Sequence, residues 1–435
     1  MKKTSASLTR ITSLVVVLLI ALGCQNNKSD AQVVRDWKNQ LSNSVEDVYE
    51  DFDLLGLSVV LIEEGQISWQ GHYGTTHPDS KEEISYDTKY RIASISKMVT
   101  AIAAMQLVEQ GKINLDQDVS TYLGWKLRNP HYPDVPISLR QLLSHTSSIR
   151  DGGKYSNFSA DMTEKKLSIT DLFLPQGDYY TEDLFDSREP GSYFSYTNCT
   201  WGLVASIVEI ISGKRFDVYT NEYIFSPLNL SASFNIHDFF GQNPLSGLYR
   251  FREGSWINQV DDYRNDPPPS RLFVGYEPGQ NGLLFGPQGN LRASSDDLVV
   301  LGKLFIGRGT FEGTKIISES SLNTMIQKQW EFNGSNGDTW DAFFNAYGLG
   351  VHILSNQIGQ DIIFPNLRMV GHAGIAYGLL SDLYVDLDNQ TGIVFIINGS
   401  KQEFEYGENS TFYAVEEAAF QAVYPYLASN RFYTN

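Results

Sequence analysis

The sequence contains almost no cysteine and no recognisable pattern of metal ligands. Cys24 and Cys199 are its two cysteines among 435 residues, which excludes a disulfide framework. The seven histidines are scattered, and none lies in an HExxH motif or a Cys/His cluster. The sequence therefore predicts no metal and no other cofactor, and the fold has to be held by its hydrophobic core.

The sequence also lacks an excess of positive charge and an apolar run long enough to span a membrane. Its formal net charge is −18, which argues against nucleic acid or an anionic membrane surface as a partner, because both require clustered Lys and Arg. Residues 11–23 form an apolar run of 13 residues, shorter than the roughly 20 residues of a membrane-spanning helix. With 42% hydrophobic and 19% charged residues, the chain has the composition of a globular protein with a sizeable core.

The N-terminal 24 residues fit an export signal. A basic start precedes the apolar run, which ends in Ala-Leu-Gly-Cys. A cysteine directly after glycine resembles a bacterial lipoprotein signal, in which Cys24 is lipidated and becomes the mature N-terminus; a plain secretory signal or an uncleaved anchor are the alternatives. We expect a signal peptide at residues 1–23, a tether at 24–34, and an exported protein that lipid anchors to the bacterial cell envelope, on an outer membrane facing the periplasm.

Hydrophobic periodicity predicts strands at both ends of the chain and helices in the middle. The predicted strands are a hairpin at 57–74 and three consecutive strands at 367–374, 378–386 and 391–400. The predicted helices are 96–113, 198–214 and 294–305, the last with a capping box of Ser294 and Asp297. This pattern indicates one α/β (α+β) domain at about 35–430, whose sheet joins N- and C-terminal segments around an inserted, mainly helical region at about 120–290. Two stretches rich in Pro, Gly, Asp and aromatic residues, 150–192 and 240–290, are predicted to be long loops over a site.

The stretch YRIASISKM (90–98) places Ser94 three residues before Lys97 at a predicted helix start. Residues three apart share a helix face, so the amine lies within reach of the hydroxyl. A serine hydroxyl becomes a good nucleophile when a base takes its proton, and lysine is such a base only when its surroundings lower its pKa. The same spacing also fits an ordinary capped helix start with a surface lysine, so this pair alone decides nothing.

Two further segments carry residue types suited to the same chemistry. Tyr196 and Asn198 stand at the start of the second predicted helix, where a phenol can relay a proton and an amide can hold Lys97 or a substrate carbonyl. His372 and Gly374 end a predicted strand, which would bring a titratable ring and a bare backbone for close approach of a substrate to a sheet edge. Each has an ordinary structural alternative: a core tyrosine, a helix-capping asparagine or a structural histidine.

The order of these motifs resembles the serine β-lactamase-like hydrolases, the broad family of class C β-lactamases, DD-peptidases, D-amino-acid peptidases and related esterases. The matching segments are RIASISK (91–97), LLSHTSSI (142–149), PGSYFSYTN (190–198), GPQGNLRASSDDL (286–298) and GHAGIAYG (371–378). The resemblance covers roughly residues 40–425. It implies a β-lactamase/transpeptidase-like fold, with an antiparallel sheet flanked by helices and a helical insertion.

The resemblance also implies catalytic roles, position by position. Ser94 matches the acylated nucleophile, and Lys97 matches the lysine that activates it. Tyr196 matches the tyrosine of a Tyr-x-Asn motif, with the role of general base, and Asn198 is its partner. The positions that match structural segments of the family are His145, Ser295 and Asp297.

The third motif of the family bears on the substrate. His372 and Gly374 match a motif that is Lys-Thr-Gly in many β-lactamases, and the backbone N–H groups of Ser94 and Ile375 match the oxyanion hole. Ala373 stands where many relatives have a threonine whose hydroxyl binds an anionic group, and losing such a charge-assisted hydrogen bond forfeits ~1.5–3 kcal/mol. The sequence therefore favours an ester or amide without a terminal carboxylate, with a protonated His372 as a partial replacement for the hydroxyl.

Three functions stay open at this point. The first is an exported serine hydrolase that acts through a Ser94 acyl-enzyme on an ester or amide. The second is a D-Ala-peptide carboxypeptidase or a β-lactamase. The third is a catalytically silent protein that binds peptidoglycan fragments or β-lactams, and the joint presence of Ser94, Lys97 and Tyr196 argues against it. The expected partners are a small-molecule or peptide substrate and, through the lipid anchor, a membrane; the oligomeric state is open.

Overall fold

A computed structural model describes residues 30–239, 245–264, 268 and 273–433. The predicted signal peptide and Cys24 lie outside these residues, so the lipid anchor stays a prediction. Within the described part of the chain, no helix combines the length and the apolar character needed to cross a bilayer. The described part of the chain divides into two compact units, with the boundary between Asn43 and Ser44.

Helix α1 (Asp30–Asp51) begins inside the predicted tether. Residues 30–34, the last part of the predicted tether, are helical. In the second unit, Val45 and Val48 share one face of the helix and are buried. The tether at 24–34 stays a prediction, and its residues 24–29 lie outside the described residues.

Strands from both ends of the chain pair into one main antiparallel sheet. In chain order the strands are β1 (Gly56–Glu63), β2 (Gln66–Gly74), β3 (Tyr90–Arg91), β4 (Leu248–Arg252), β5 (Ser255–Val260), β6 (Arg292–Ala293), β7 (Thr310–Phe311), β8 (Thr314–Lys315), β9 (Trp330–Glu331), β10 (Ala346–Tyr347), β11 (His352–Ile353), β12 (Val370–Ala376), β13 (Leu379–Asp386) and β14 (Thr391–Ile397). The main sheet has the order β2-β1-β14-β13-β12-β11-β10-β9, and small ladders pair β3 with β6, β4 with β5 and β7 with β8. The predicted antiparallel sheet, which joins an N-terminal hairpin to C-terminal strands, is confirmed.

Most of the helices lie between the two groups of strands. After α1 they are α2 (Ser96–Glu109), α3 (Ser120–Leu123), α4 (Leu139–Leu143), α5 (Tyr155–Asp161), α6 (Thr170–Phe173), α7 (Cys199–Ser212), α8 (Phe216–Thr220), α9 (Ser295–Ile306), α10 (Glu319–Ile326) and α11 (Ala414–Tyr433). The predicted helices are confirmed as α2, α7 and α9. The capping box of Ser294 and Asp297 is present at the start of α9, and Gly213 ends α7 with a φ of 71°.

Helices cover both faces of the central strands. On one face α9 lies so close that a Cβ atom at Gly302 would be 3.1 Å from Leu383 and 3.3 Å from Ile62. On the other face Phe420 of α11 contacts Phe395 of β14. Strands β1, β13 and β14 are therefore buried along nearly their whole length, which explains their continuous apolar runs.

The face beneath α11 also buries two carboxyl groups. Asp382 of β13 pairs in register with Phe395 and is fully buried, and Glu416 of α11 is 1% exposed. Burial raises the pKa of Asp382, and the neighbouring charge of Glu416 adds to that shift. Burial likewise raises the pKa of Glu416 to about 7. The interface therefore contains an acidic pair that resists ionisation.

A hairpin occupies part of the stretch 240–290 that was predicted to be a loop. β4 and β5 are joined by Glu253 and Gly254, which both have positive φ. Two consecutive residues of this kind form a type I′ turn, which suits the twist of a two-stranded hairpin. The Tyr249 backbone N–H donates to the Asn398 carbonyl oxygen at 2.9 Å. This bond fixes the hairpin to the end of β14.

Candidate active site

Ser94 lies in a single 3₁₀ turn (Ala93–Ile95) that leads into α2. Ala93 has a φ of 48°, a left-handed conformation that costs a non-glycine residue about 1–2 kcal/mol. The Ser96 hydroxyl holds this turn, because it donates to the Ala93 carbonyl at 2.6 Å and accepts from the Leu291 N–H at 3.1 Å. The turn thus presents a partly exposed Ser94 at the N-terminus of a buried helix.

Strand β12 runs directly beside this turn. A Cβ atom at Gly374 would stand 2.4 Å from the Ile92 carbonyl oxygen and 3.2 Å from the Ala93 Cβ, so only glycine fits. The close approach that was predicted for a substrate backbone is therefore made by the chain itself. It places the backbone of Gly374 and Ile375 next to Ser94, where the family resemblance puts the oxyanion hole.

Lys97 is buried at the centre of the site and bonds to three oxygen atoms. Its Nζ atom lies 2.9 Å from each of the Ser94 Oγ, the Asn198 Oδ1 and the Gln288 carbonyl oxygen. Burial removes water from the ammonium group and lowers the pKa of Lys97 from 10.5 to about 7, although Asp151 opposes the shift. Near neutral pH much of Lys97 is therefore an uncharged amine, which can accept the Ser94 proton.

Two of the groups near Lys97, the Asp151 carboxylate and the Gln288 carbonyl, were not predicted from the sequence. The Asp151 carboxylate accepts from the backbone N–H groups of Asn198 and Cys199 at 2.9 and 2.8 Å, and from the Asn198 Nδ2 at 2.9 Å. It caps the start of α7 and turns the Asn198 amide so that its oxygen faces Lys97. The sequence carries no signal for either neighbour, because Asp151 lies 47 residues before Asn198 and Gln288 contributes its backbone carbonyl.

Tyr196 contacts both Ser94 and Lys97. The Lys97 Nζ atom lies 4.8 Å from the centroid of the Tyr196 ring, and the Tyr196 side chain is hydrogen-bonded to Ser94. Burial raises the pKa of Tyr196, and the bond to Ser94 opposes that shift only in part. The phenol therefore stays neutral at neutral pH. These pKa directions favour Lys97 as the proton acceptor and Tyr196 as a proton relay, whereas the family resemblance implies Tyr196 as the base.

An aromatic wall, formed by Tyr196, Phe344 and Trp340, leads from the site to solvent. The Tyr196 ring stacks on Phe344 and meets Trp340 edge-on, with centroids 4.9 Å apart in both pairs. Trp340 is 44% exposed and was not singled out from the sequence. Trp340, Asp341 and Ala342 all have positive φ, a strained conformation that clusters at functional sites.

His372 is buried, and both of its ring nitrogens are bonded inside the protein. The Tyr347 hydroxyl donates to Nε2 at 2.9 Å, and Nδ1–H donates to the Ala373 carbonyl oxygen at 2.6 Å. Burial and the charge of Lys97 lower the pKa of His372 well below 6.5, so the ring is neutral. The geometry therefore disfavours a protonated His372 as a replacement for the threonine hydroxyl that Ala373 lacks.

The positions with an expected structural role do support the loops of the site. The His145 Nδ1 accepts from the Thr197 N–H at 3.1 Å, which holds the Tyr-x-Asn segment. Asp297 accepts from the ammonium of Lys89 at 2.6 Å in a buried ion pair. Ser295 donates to a backbone carbonyl at 3.2 Å. The described residues contain no group of three or more His, Cys, Asp or Glu that could hold a metal ion.

Comparison with known sequences adds an independent line of evidence. The family model described as Beta-lactamase matches residues 41–417. Protein flp of Staphylococcus aureus (strain MRSA252) is 26% identical over 214 residues, which are 49% of this chain and 40% of that protein. The chain thus spans about two fifths of the length of the first curated relatives it matches.

Solved structures of other proteins share the fold of this chain. The octameric penicillin-binding protein homologue from Pyrococcus abyssi has a TM-score of 0.66 and 21% identity, over 90% of this chain and 77% of that chain. The D-amino acid amidase from Ochrobactrum anthropi SV3, complexed with L-phenylalanine, has a TM-score of 0.62 and 18% identity, over 91% of this chain and 99% of that chain. At these identities the likeness establishes the fold.

Proposed function

The chain belongs to the beta-lactamase family, and from this premise we propose that it is a serine hydrolase that transfers an acyl group through Ser94. The observation that carries the proposal is the position of Lys97, a buried amine 2.9 Å from the Ser94 Oγ with a pKa lowered to about 7. The substrate is an ester or an amide. The amidase and penicillin-binding protein homologue with this fold support that class of reaction.

The reaction begins when neutral Lys97 takes the Ser94 proton and Oγ attacks the substrate carbonyl carbon. The carbonyl oxygen gains negative charge, which the backbone N–H groups of Ser94 and Ile375 stabilise. The bond to the leaving group then breaks, and the leaving group takes a proton from Lys97 by way of Tyr196. Water attacks the acyl carbon while Lys97 takes its proton. The bond between the acyl carbon and the Ser94 Oγ then breaks, Lys97 returns the proton to Oγ, and the acid is released.

Ala373 narrows the choice of substrate. It has no hydroxyl for an anionic group beside the reacting bond, and the neighbouring His372 is neutral and bonded inside the protein. An ester or amide without a carboxylate next to the reacting bond is therefore the first candidate. A D-Ala-peptide carboxypeptidase or β-lactamase is the second, and a silent protein that binds peptidoglycan or β-lactams is the third. The predicted N-terminal signal and the position of Cys24 support the additional proposal of a lipid anchor in the cell envelope.

Two covalent probes test the assignment on the full chain. The protein is incubated with a fluorophosphonate and, separately, with a fluorescent penicillin, and adducts are located by intact mass and peptide mapping. Loss of penicillin itself is followed in parallel, because rapid turnover hides an adduct. Ser94→Ala should abolish every reaction, whereas the control Ser320→Ala, at an exposed position of α10, should change none.

The outcomes separate the three candidates. A fluorophosphonate adduct on Ser94 without any reaction with penicillin supports the esterase or amidase. A penicilloyl adduct or Ser94-dependent loss of penicillin moves the assignment to the peptidase and β-lactamase branch. No Ser94-dependent reaction with either probe contradicts the hydrolase and leaves the binding protein.

A further inference from the structure

A groove lies between the β4–β5 hairpin and the end of β12. Its volume is about 250 Å³, and its walls include Ile375 and Tyr377. The hairpin is seated firmly beside it, since a Cβ atom at Gly378 would lie 2.0 Å from the Tyr249 carbonyl oxygen. Because the backbone of Ile375 runs next to Ser94, a substrate whose carbonyl reacts there has room to extend into the groove. The volume suits one end of a substrate rather than a whole drug-sized ligand.

Two arginines of the hairpin line this groove. Arg250 and Arg252 stand two residues apart on β4, so their side chains share one face of the strand. Both are exposed, and among the described residues neither guanidinium has an ion-pair or hydrogen-bond partner. The Arg91 guanidinium, by contrast, already has partners. It lies over the Tyr377 ring, 4.7 Å from the centroid, and it donates to a backbone carbonyl.

The charge of the groove is opposite to that of the molecule. The chain carries a formal charge of −18. The charged residues among the described residues of the wall are nevertheless two arginines, Arg250 and Arg252, and one carboxylate, Glu403. A guanidinium without a partner offers forked N–H donors that match a carboxylate. We propose that this groove is a subsite for a carboxylate that the substrate carries at a distance from its reacting carbonyl, bound by Arg250 and Arg252.

This inference rests on the proposed function of Ser94, and it names the class of substrate. Ala373 and the neutral His372 provide no group for a carboxylate directly beside the reacting bond. The hairpin provides cationic donors further along the substrate. The proposed substrate is therefore an ester or amide whose acyl chain or leaving group carries a carboxylate several bonds away from the reacting carbonyl. This proposal revises the expectation from the sequence, which favoured a substrate without a terminal carboxylate.

Two pairs of aryl esters test the subsite on the full chain. Mono-4-nitrophenyl adipate and its neutral methyl ester place the carboxylate on the acyl side. The acetate ester of 4-hydroxyphenylpropionic acid and its methyl ester place it on the leaving group. In at least one pair we expect a higher kcat/KM for the acid, and Arg250→Gln with Arg252→Gln should lower the acid-to-ester ratio about tenfold. Lys at both positions should keep part of the preference.

A matched control removes the same charge elsewhere. Lys112→Gln with Lys126→Gln takes away two exposed cations that do not line the groove, and Lys112 follows α2 at the end on the order of 20 Å from Ser94. This variant should keep the acid-to-ester ratio of the wild type. Melting temperatures show that each variant is folded. A ratio that the arginine variant leaves unchanged in both pairs overturns the subsite.

The proposal of the carboxylate subsite and the proposal of a serine hydrolase can be contradicted independently of each other. Ser94→Ala removes turnover, so calorimetry on this variant measures binding of the acid and its methyl ester directly. Tighter binding of the acid, lost when the two arginines are also replaced by Gln, supports the subsite even if the wild type hydrolyses no ester. Hydrolysis of neutral esters without an arginine-dependent preference in either assay leaves the hydrolase standing and overturns the subsite.

Discussion

Lys97 can act as a base near neutral pH because burial removes water from its ammonium group and lowers its pKa to about 7. Its three partners are a hydroxyl, an amide oxygen and a backbone carbonyl, and none of them carries a full negative charge. The carboxylate that opposes the shift, Asp151, bonds to the far side of the Asn198 amide. The Asp151 carboxylate is therefore near enough to orient the Asn198 amide, but it is too far from Lys97 to restore the ordinary pKa of that amine.

At the residue scale, this predicts a definite pH dependence. We expect kcat/KM for an ester to rise with pH through about 7 and then to level off, because only uncharged Lys97 accepts the Ser94 proton. Lys97→Met should slow acylation of Ser94 by about 10²- to 10⁴-fold. Steady-state kinetics and the rate of fluorophosphonate labelling between about pH 5 and about pH 9 measure both effects. A labelling rate that is flat over this range would contradict Lys97 as the base.

Asp151→Asn should change both rate and pH profile. Loss of its charge removes the interaction that raises the pKa of Lys97, so the acidic limb of the profile should move below 7. Loss of the bonds to Asn198 should lower kcat about 10- to 100-fold, and the weaker cap on α7 should cost about 1 kcal/mol of stability. Asp134→Asn, at an exposed position, is the control. A lower kcat with an unmoved acidic limb would mean that Asp151 acts only through structure.

At the element scale, the site depends on how closely β12 lies against the turn that carries Ser94. Gly374→Ala should lower stability by about 1–3 kcal/mol and reduce kcat/KM, because the new methyl group would stand 2.4 Å from the Ile92 carbonyl. Gly289→Ala is the matched control in another segment that faces the same turn, since its Cβ atom would be no closer than 3.8 Å to Ala93. Denaturant titration and ester kinetics compare the two. Equal effects would show that the contact between β12 and the turn has no special role.

The elements that the sequence predicted are those whose pattern is long and local. β1–β2, α2, α7, α9 and β12–β14 carry continuous or periodic apolar runs and were recognised. The β4–β5 hairpin was missed, because its short alternating strands lie among Pro- and Gly-rich segments. Within the site, motifs pointed to Ser94, Lys97 and Tyr196. The contacts of Lys97 with Gln288 and of Asn198 with Asp151 span 191 and 47 residues, so only the folded chain reveals them.

At the scale of the whole molecule, the acidic pair beneath α11 makes stability depend on pH. The pKa values of Asp382 and Glu416 in the folded state lie above those of an unfolded chain, near 4. Above about pH 4 the folded state therefore holds protons that the unfolded chain has released. The contribution of this pair to the free energy of unfolding therefore falls as pH rises from about 4 toward about 7.

Asp382→Asn should remove most of this dependence. The difference in the free energy of unfolding between about pH 5 and about pH 8 should shrink by roughly 1–3 kcal/mol, because the substituted amide never has to ionise in a buried place. Urea titration at the two pH values measures it. The control Asp341→Asn, at an exposed position, should leave this difference in the free energy of unfolding as it is in the wild type. If Asp382→Asn changes the difference no more than Asp341→Asn does, the assignment to the acidic pair is wrong.

The pairing of β1 with β14 has a consequence for the order of events during synthesis. Leu57 of β1 and Ile397 of β14 are register partners in the main sheet, so this pair of strands cannot form until residue 397 has left the ribosome. At a synthesis rate of about 5–20 residues per second, β1 waits roughly 20 to 70 seconds for its partner. During that time the segments between them have no completed sheet to cover. The main sheet of a chain with this topology is therefore completed late in synthesis, and only after most of the other elements have been made.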